Sequence, residues 1–341
     1  MRRSLLAFAV SLLVLAAFLL VLGPVELAAE LAATDPLLFG AGLLAMLAAL
    51  ACWSEGLRPL LSDAGAPVSP RRTFVAYCTA MLGRQLVPMG ALGGPALTAF
   101  TIDRETPLSY DGTLAVVTVA EFLSVVASLA LTAAAIPVLL VGAPTLAQLR
   151  PVLLAVGLFV VVLLAATLAF WFRRRAVERA LRWTVAFLRR TLGALSGRLR
   201  EWLAPEGAVS ALGRFYETVD GLAASPGSLS RSFGLHLAGW VFAALPLYTS
   251  ALALDVRISF ALALVLVPAG DLVAVLPLPG GLGGTEIALA GLLAALAGLP
   301  LPRATAVVLL YRLCSYWFLL LVGGVASVFS AVRVTDPVDP R

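Results

Sequence analysis

At residues 277–286 the chain reads PLPGGLGGTE, in the middle of an apolar run that extends from residue 260 to residue 299. Its two prolines and four glycines do not continue a helix. The stretch ends in the carboxylate of Glu286, at a depth where a bilayer would lie. A membrane tolerates non-helical backbone only where protein or a water-filled cavity covers it. We therefore expect residues 277–286 to line the inside of a site.

The overall composition is that of a membrane protein. Of 341 residues, 61% are hydrophobic and 13% are charged, and the mean hydropathy is +1.01. Soluble domains have about 45–50% apolar and about 25% charged residues. Several runs of about 20 apolar residues are each long enough to cross roughly 30 Å of hydrocarbon. The sequence predicts an all-α, polytopic helical bundle that forms a single transmembrane domain over residues 1–332.

The charge pattern indicates membrane orientation and excludes several other classes of protein. The net charge is +5, every cation is an arginine, and the arginines lie between the apolar runs, which fits the positive-inside rule better than nucleic-acid binding. The three cysteines show no CxxC spacing, so we predict neither a disulfide framework nor a metal site. Because Walker A, dinucleotide-binding, HExxH and GxSxG motifs are absent from the sequence, we predict no cofactor and no catalytic residue.

The order of the apolar runs predicts about eight spans in the cell membrane, with the N- and C-termini in the cytoplasm. The first span is expected at residues 4–22. Residues 73–102 and 277–299 do not resemble clean spans, and the sequence leaves open whether each is re-entrant or crosses fully. The tail, residues 333–341, is expected to be disordered.

Residues 173–231 form the one long polar stretch, a predicted cytoplasmic insert. Eleven arginines against five acidic residues give it a net charge of +6. Apolar residues recur at three- and four-residue steps from Val177 to Trp202, which predicts an amphipathic helix. Such a helix lies either on the anionic inner leaflet or against the protein's own cytoplasmic face.

Two breaks in the apolar pattern resemble each other. The sequence PMGALGG at residues 88–94 matches PGGLGG at residues 279–284 if one residue is dropped. Broken helices at corresponding positions of two halves are typical of transporters built from inverted repeats, with the binding site between them. The alternative is that both are Gly/Pro loops at the membrane edge.

Charged side chains accompany the two breaks. Arg312 lies about nine residues into its helix, some 13 Å deep at about 1.5 Å per residue. Insertion scales give a lone arginine there a cost of at least about 2.5–3.5 kcal/mol, so we expect it to face the bundle interior and meet an anion. The anion is Glu286, Asp271 or a substrate phosphate; alternatively, the pair is purely architectural. We expect Thr285 to be the N-cap of the following helix.

The predicted substrate-binding residues are the two breaks with their flanking charges. They are Arg84, Pro88, Gly90, Gly93, Gly94, Asp271, Pro279, Gly280, Gly281, Gly283, Gly284, Glu286 and Arg312. Glu121 has no evident partner in the sequence, and His236 is expected to be a hydrogen-bonded structural histidine.

The sequence resembles the flippase-like membrane region of lysylphosphatidylglycerol synthases over roughly residues 5–332. The positions that carry the C-terminal resemblance are 277–286, Gly298, 304–310 and Arg312, and those of the N-terminal motif are Arg84, Pro88 and 90–94. The resemblance implies a bundle with re-entrant elements that moves amphiphilic lipids between leaflets. It also implies that Arg84, Glu286, Arg312 and the glycine-rich turns are site residues.

The resemblance has one departure. The synthases carry a soluble aminoacyl-transferase domain after the membrane region, whereas this chain stops at Arg341, so we do not expect lipid aminoacylation. The resemblance does not name the substrate.

Three functions remain open from the sequence. The first is a translocator of a phosphate-bearing lipid, whose partners are membrane lipids. The second is a membrane glycosyl- or acyl-transferase using a polyprenyl phosphate, with Asp271 or Glu121 as acid or base. The third is a non-catalytic partner of a lipid-modifying enzyme, docked through residues 173–231. A homo-oligomer is compatible with each.

Overall fold

A computed structural model describes residues 31–86, 90–142, 205–273 and 281–335, together with the single positions 20, 157, 158, 161, 162 and 165. Several predictions fall outside these residues: most of the first span, Pro88, Pro279, Gly280, the insert before residue 205 and most of the tail.

The described part of the chain is all-α. Its helices are α1 (Pro36–Asp63), α2 (Pro70–Leu86), α3 (Gly90–Asp103), α4 (Tyr110–Gly142), α5 (Pro205–Ala223), α6 (Pro226–Ala253), α7 (Phe260–Val273), α8 (Gly284–Ala297), α9 (Leu301–Arg312) and α10 (Phe318–Thr335). A π-helical turn, Leu313–Trp317, joins α9 to α10.

Within the described residues, four helices are long and apolar enough to cross a membrane, and the expected polytopic helical bundle is confirmed. They are Pro36–Asp63, Tyr110–Val141, Pro226–Ala253 and Leu301–Phe329. In contrast, α3, α7 and α8 have 14 residues each, or about 21 Å at 1.5 Å per residue, which is too short for roughly 30 Å of hydrocarbon.

The same order of elements occurs twice along the chain. A long helix, two short helices separated by a break, and a second long helix occur as α1 to α4 and again as α6 to α10. The first long helices, α1 and α6, pack together, as do α2 with α10 and α7 with α4. In each half, therefore, one short helix packs against the last long helix of the other half: α2 against α10, and α7 against α4.

Helices α1 and α6 run antiparallel. At one end, the amide of Asp35 donates to the carbonyl of Ala253 over 3.0 Å, and the guanidinium of Arg303 donates to the carbonyl of Leu254 over 3.1 Å. Near the other end, Gly56 of α1 lies against His236 of α6. Consequently α2, which follows α1, and α7, which follows α6, begin at opposite ends of the bundle.

Local sequence signals set several helix ends. The Asp35 carboxylate accepts from the amides of Leu37 and Leu38, and Pro36 occupies the first turn, where its missing N–H costs nothing. At the end of α8, Gly298 has a φ of 65°, the left-handed conformation that commonly ends helices.

Small residues bring α1 and α6 into close contact. An added Cβ at Gly56 would lie 2.5 Å from the His236 ring, and one at Gly239 would lie 2.4 Å from the Trp53 indole nitrogen. Lipid tails are as apolar as the side chains they contact, so membrane helices associate through such close packing rather than through the hydrophobic effect.

The described part of the basic insert packs against the protein itself. Val219 and Leu222 of α5 are buried in the same apolar cluster as Leu60 of α1. Arg214 donates two hydrogen bonds to Asp111 at the start of α4. The amphipathic helix predicted from Val177 to Trp202, to which the two alternatives from the sequence apply, lies outside the described residues.

The contact between α1 and α6 gives a stability prediction. Gly56→Ala and Gly239→Ala should each destabilise the protein by about 1–3 kcal/mol, because the added methyl overpacks a buried ring. The matched controls, Gly40→Ala and Gly234→Ala, lie on the same helices with open space around them and should be neutral or stabilising by up to about 1 kcal/mol. Thermal unfolding in detergent followed by circular dichroism measures this, and similar shifts in all four variants would contradict the packing.

Candidate functional site

The first part of the site is the glycine-rich turn that leads into α8. Gly281 and Gly283 have φ values of 65° and 81°, which side chains other than glycine rarely adopt. The amide of Gly283 donates to Glu286 Oε2 over 2.7 Å. In a capping box, the third helical residue accepts the N-cap amide and the N-cap side chain accepts an amide in return. Glu286 makes the first of these bonds, and Gly283 has no side chain to make the second.

The expected N-cap was wrong. Gly283 is the N-cap, whereas Thr285 lies inside the first turn, where it is buried. Its hydroxyl has no hydrogen-bond partner. The physical reason is that the helix starts from a residue with a φ of 81°, which glycine adopts readily and threonine rarely, so Thr285 lies two residues further on.

Glu286 also pairs with Arg312. Arg312 Nε donates to Glu286 Oε1 over 2.6 Å, and the side chains are only 10% and 2% exposed. The guanidinium carbon lies 4.6 Å from the centre of the buried Tyr316 ring, within the range of a cation–π contact. Of the two carboxylates considered from the sequence, Glu286 is in direct contact with Arg312.

A π-helical turn follows Arg312 directly and contains Tyr316. Such turns are rare and often mark functional sites, since each leaves a helix locally widened. Here the turn places Tyr316 beneath the guanidinium, so Arg312 lies between a carboxylate and an aromatic face.

A second ion pair lies in the first half of the chain. Arg84, in the last turn of α2, donates to Glu121 of α4 over 2.5 Å. These side chains are more open than the first pair, at 21% and 28% exposed. Gly94 of α3 lies against Arg84, and a Cβ there would come within 2.4 Å of its Nε. The missing side chain at position 94 therefore leaves room for the guanidinium against α3.

The two ion pairs occupy corresponding positions with reversed charge. Glu121 is the twelfth residue of α4, and Arg312 is the twelfth residue of α9. Each pairs with a residue that flanks the break of its own half. Arg84 lies at the C-terminal end of α2 and Glu286 at the N-terminal end of α8, so each charge has the sign that its helix end favours. This correspondence is the sequence signal from which the partner of Glu121 could have been found.

Asp271 connects the two pairs electrostatically. It lies in the last turn of α7, is exposed, and interacts with the charges of both Arg312 and Arg84. Among the described residues, α3 and α8 share no extended interface. In the described part of the chain, Asp271 is therefore the carboxylate whose charge interacts with arginines of both halves.

The other predicted residues are placed as follows. Gly90 and Gly284 are the first residues of α3 and α8, and Gly93 is exposed with open space around its Cα. His236 is buried and its Nδ1 donates to the carbonyl of Ser232 over 2.8 Å, so it is the structural histidine expected. In the described ranges, no group of three metal-ligating side chains converges.

Residues 4–323 match the family described as the lysylphosphatidylglycerol synthase TM region. The chain belongs to this family. It is also 33% identical over 112 residues to a UPF0104 membrane protein of Methanothermobacter thermautotrophicus. That alignment covers 33% of this chain and spans only about a third of the relative's length. These similarities establish a multi-pass membrane protein. The range that the family matches includes the five charged residues described above: Arg84, Glu121, Asp271, Glu286 and Arg312.

The difference in burial between ion pairs is open to measurement. Glu286→Gln leaves Arg312 buried without its charged partner and should cost about 3–5 kcal/mol. Glu55→Gln removes the partner of Arg58 in a pair that is 31% exposed on both sides, and should cost at most about 1 kcal/mol.

A thiol-reactive fluorophore reports the unfolding midpoint, because Cys78 and Cys314 are buried in the folded protein. Equal losses in the two variants would show that the Glu286–Arg312 pair is not the stronger constraint.

Proposed function

We propose that this protein moves an amphiphilic, phosphate-bearing lipid between the two leaflets of the membrane. The headgroup passes the polar groups at the two breaks while the acyl chains stay in lipid. The observation that carries the proposal is the buried Glu286–Arg312 pair at a glycine-rich break. Placing an ionisable side chain inside a membrane costs free energy, so such residues usually line a substrate or ion pathway.

The fold supports a transporter built from inverted repeats. The element order recurs, α1 and α6 are antiparallel, and α2 and α7 start from opposite ends. We propose that α2–α3 and α7–α8 are re-entrant hairpins that enter from opposite faces. In such transporters the discontinuous helices surround a site near the midplane, and one repeat rocks against the other.

The arginines are the groups suited to a lipid phosphate. A guanidinium offers a planar fork of donors that matches two phosphate oxygens. An arriving phosphate competes with the Glu286 carboxylate for Arg312, and with Glu121 for Arg84. Breaking either pair loosens a short helix from a long one, which links headgroup binding to movement of a hairpin.

We propose that the end carrying Arg58, Arg71 and Arg72 faces the cytoplasm, with both termini on that side. That end carries more arginines than the other end, where Arg257 and Arg303 lie, and this is the asymmetry of the positive-inside rule.

One observation favours the enzymatic alternative at a single residue. Glu121 is engaged by Arg84, which leaves the exposed Asp271 as the described carboxylate open to act as acid or base. Incubation of the purified protein with a radiolabelled polyprenyl-phosphate sugar or acyl donor tests this. Product formation that Asp271→Asn abolishes would support a transferase over a translocator.

The lipid-translocation proposal is tested in reconstituted vesicles. Dithionite bleaching of NBD-labelled phosphatidylglycerol measures how much label reaches the outer leaflet. Arg312→Lys keeps the charge and loses the fork; the loss of one charge-assisted hydrogen bond, about 1.5–3 kcal/mol, lowers the rate at least about tenfold. The control is Arg58→Lys in the exposed pair, which should flip at the rate of the unmodified protein.

Two outcomes would count against the proposal. Bleaching equal to that of protein-free vesicles would overturn the function itself. Unchanged flipping by Arg312→Lys would overturn the site.

A charge exchange separates a binding pair from an architectural one. The double variant Glu286→Arg, Arg312→Glu keeps two opposite charges in contact but places the cation at the helix end that disfavours it. It should recover part of the stability lost in Glu286→Gln and none of the flipping. Recovery of both in the same thermal and bleaching assays would show that the pair only holds the fold together.

A further inference from the structure

The charged groups near the breaks do not balance. Among the described residues there, Arg84 pairs with Glu121 and Arg312 pairs with Glu286. Asp271 is the fifth charge. Two cations and three anions leave the cluster with one negative charge in excess, which is costly in a membrane interior.

The surroundings of Asp271 do not favour its charged form. It lies in the last turn of α7, where the helix dipole disfavours an anion. The residue is exposed rather than packed in the core. The arginines that offset its charge are each in contact with another carboxylate.

A proton is the simplest ion that neutralises this group. Hard divalent cations take six or more oxygen ligands, and no such group of carboxylates converges among the described residues. A proton needs one carboxylate oxygen, and Asp271 offers two on a surface that is open to exchange.

We propose that Asp271 takes up one proton when an anionic headgroup binds and releases it on the other side of the membrane. The inference rests on the proposed function. A phosphate at Arg84 or Arg312 adds negative charge. It thereby weakens the electrostatic stabilisation that those arginines give to the ionised Asp271 carboxylate. Proton uptake forms one O–H bond and restores the charge balance; release breaks that bond. By linkage, the anion and the proton strengthen each other's binding by the same factor.

The other titratable groups near Asp271 are committed elsewhere. On the helices that pack against α7, Glu121 and Glu286 are ion-paired, and His236 is bonded to a backbone carbonyl. Tyr77 and Tyr311, which also interact with Asp271, are buried phenols that stay neutral at physiological pH. Within the described part of the chain, Asp271 is the group placed to exchange a proton.

Infrared difference spectroscopy tests the proton site without any transport assay. The unmodified protein in phosphatidylglycerol nanodiscs should gain a protonated-carboxyl C=O band as the pH falls from mildly alkaline to mildly acidic. Asp271→Asn, which is nearly isosteric, should lack that band, and the control Glu55→Gln, in the exposed pair with Arg58, should retain it. A band retained in Asp271→Asn would overturn the proposal.

Flipping under an imposed pH gradient tests the coupling. Movement of NBD-labelled phosphatidylglycerol in the direction of proton flow should accelerate severalfold for the unmodified protein, and for Asp271→Glu, which keeps a carboxylate. Asp271→Asn should flip at a rate independent of the gradient. A gradient-insensitive unmodified protein that flips normally would overturn proton coupling. If that protein does not flip at all, the translocator function fails, while the infrared band still decides whether Asp271 takes up a proton.

Discussion

A buried guanidinium in a membrane must have a counter-charge, and the Glu286–Arg312 pair meets that requirement. The same carboxylate also accepts the amide of Gly283, so one side chain begins α8, satisfies the glycine-rich turn and neutralises Arg312. The π-helical turn adds the Tyr316 ring on the other side of the guanidinium. The Glu286 carboxylate thereby holds three elements together: the glycine-rich turn, the start of α8 and the long helix that carries Arg312.

The breaks are tolerated because other helices carry the packing. Helices α1 and α6 are long, uninterrupted by glycine-rich turns, and joined through small residues such as Gly56 and Gly239. Against this antiparallel pair, the short helices lose little by stopping part-way. Helix α7 ends and α8 begins next to a break, so helix ends and charged side chains lie there together.

The signs of the charges follow from which helix end they occupy. Arg84 closes α2 and Glu286 opens α8, so both interact favourably with the helix dipole, and the long helices supply the opposite partners Glu121 and Arg312. Asp271 breaks this rule, because it is an anion at a C-terminal end. A charge retained against its local preference is where a role in binding or coupling is expected.

The sequence by itself determined the class of the protein and the main break. Apolar runs without enough charge for a soluble surface have to be membrane helices, PLPGGLGGTE cannot continue one, and an arginine at the depth of Arg312 has to find an anion. Only the tertiary structure decided which anion. Glu286 is 26 residues away in sequence and Glu121 is 37 residues from Arg84, and no local pattern specifies contacts at those distances. The N-cap was misassigned because the helix starts from the positive φ of Gly283, and a propensity for threonine at helix starts does not account for that backbone conformation.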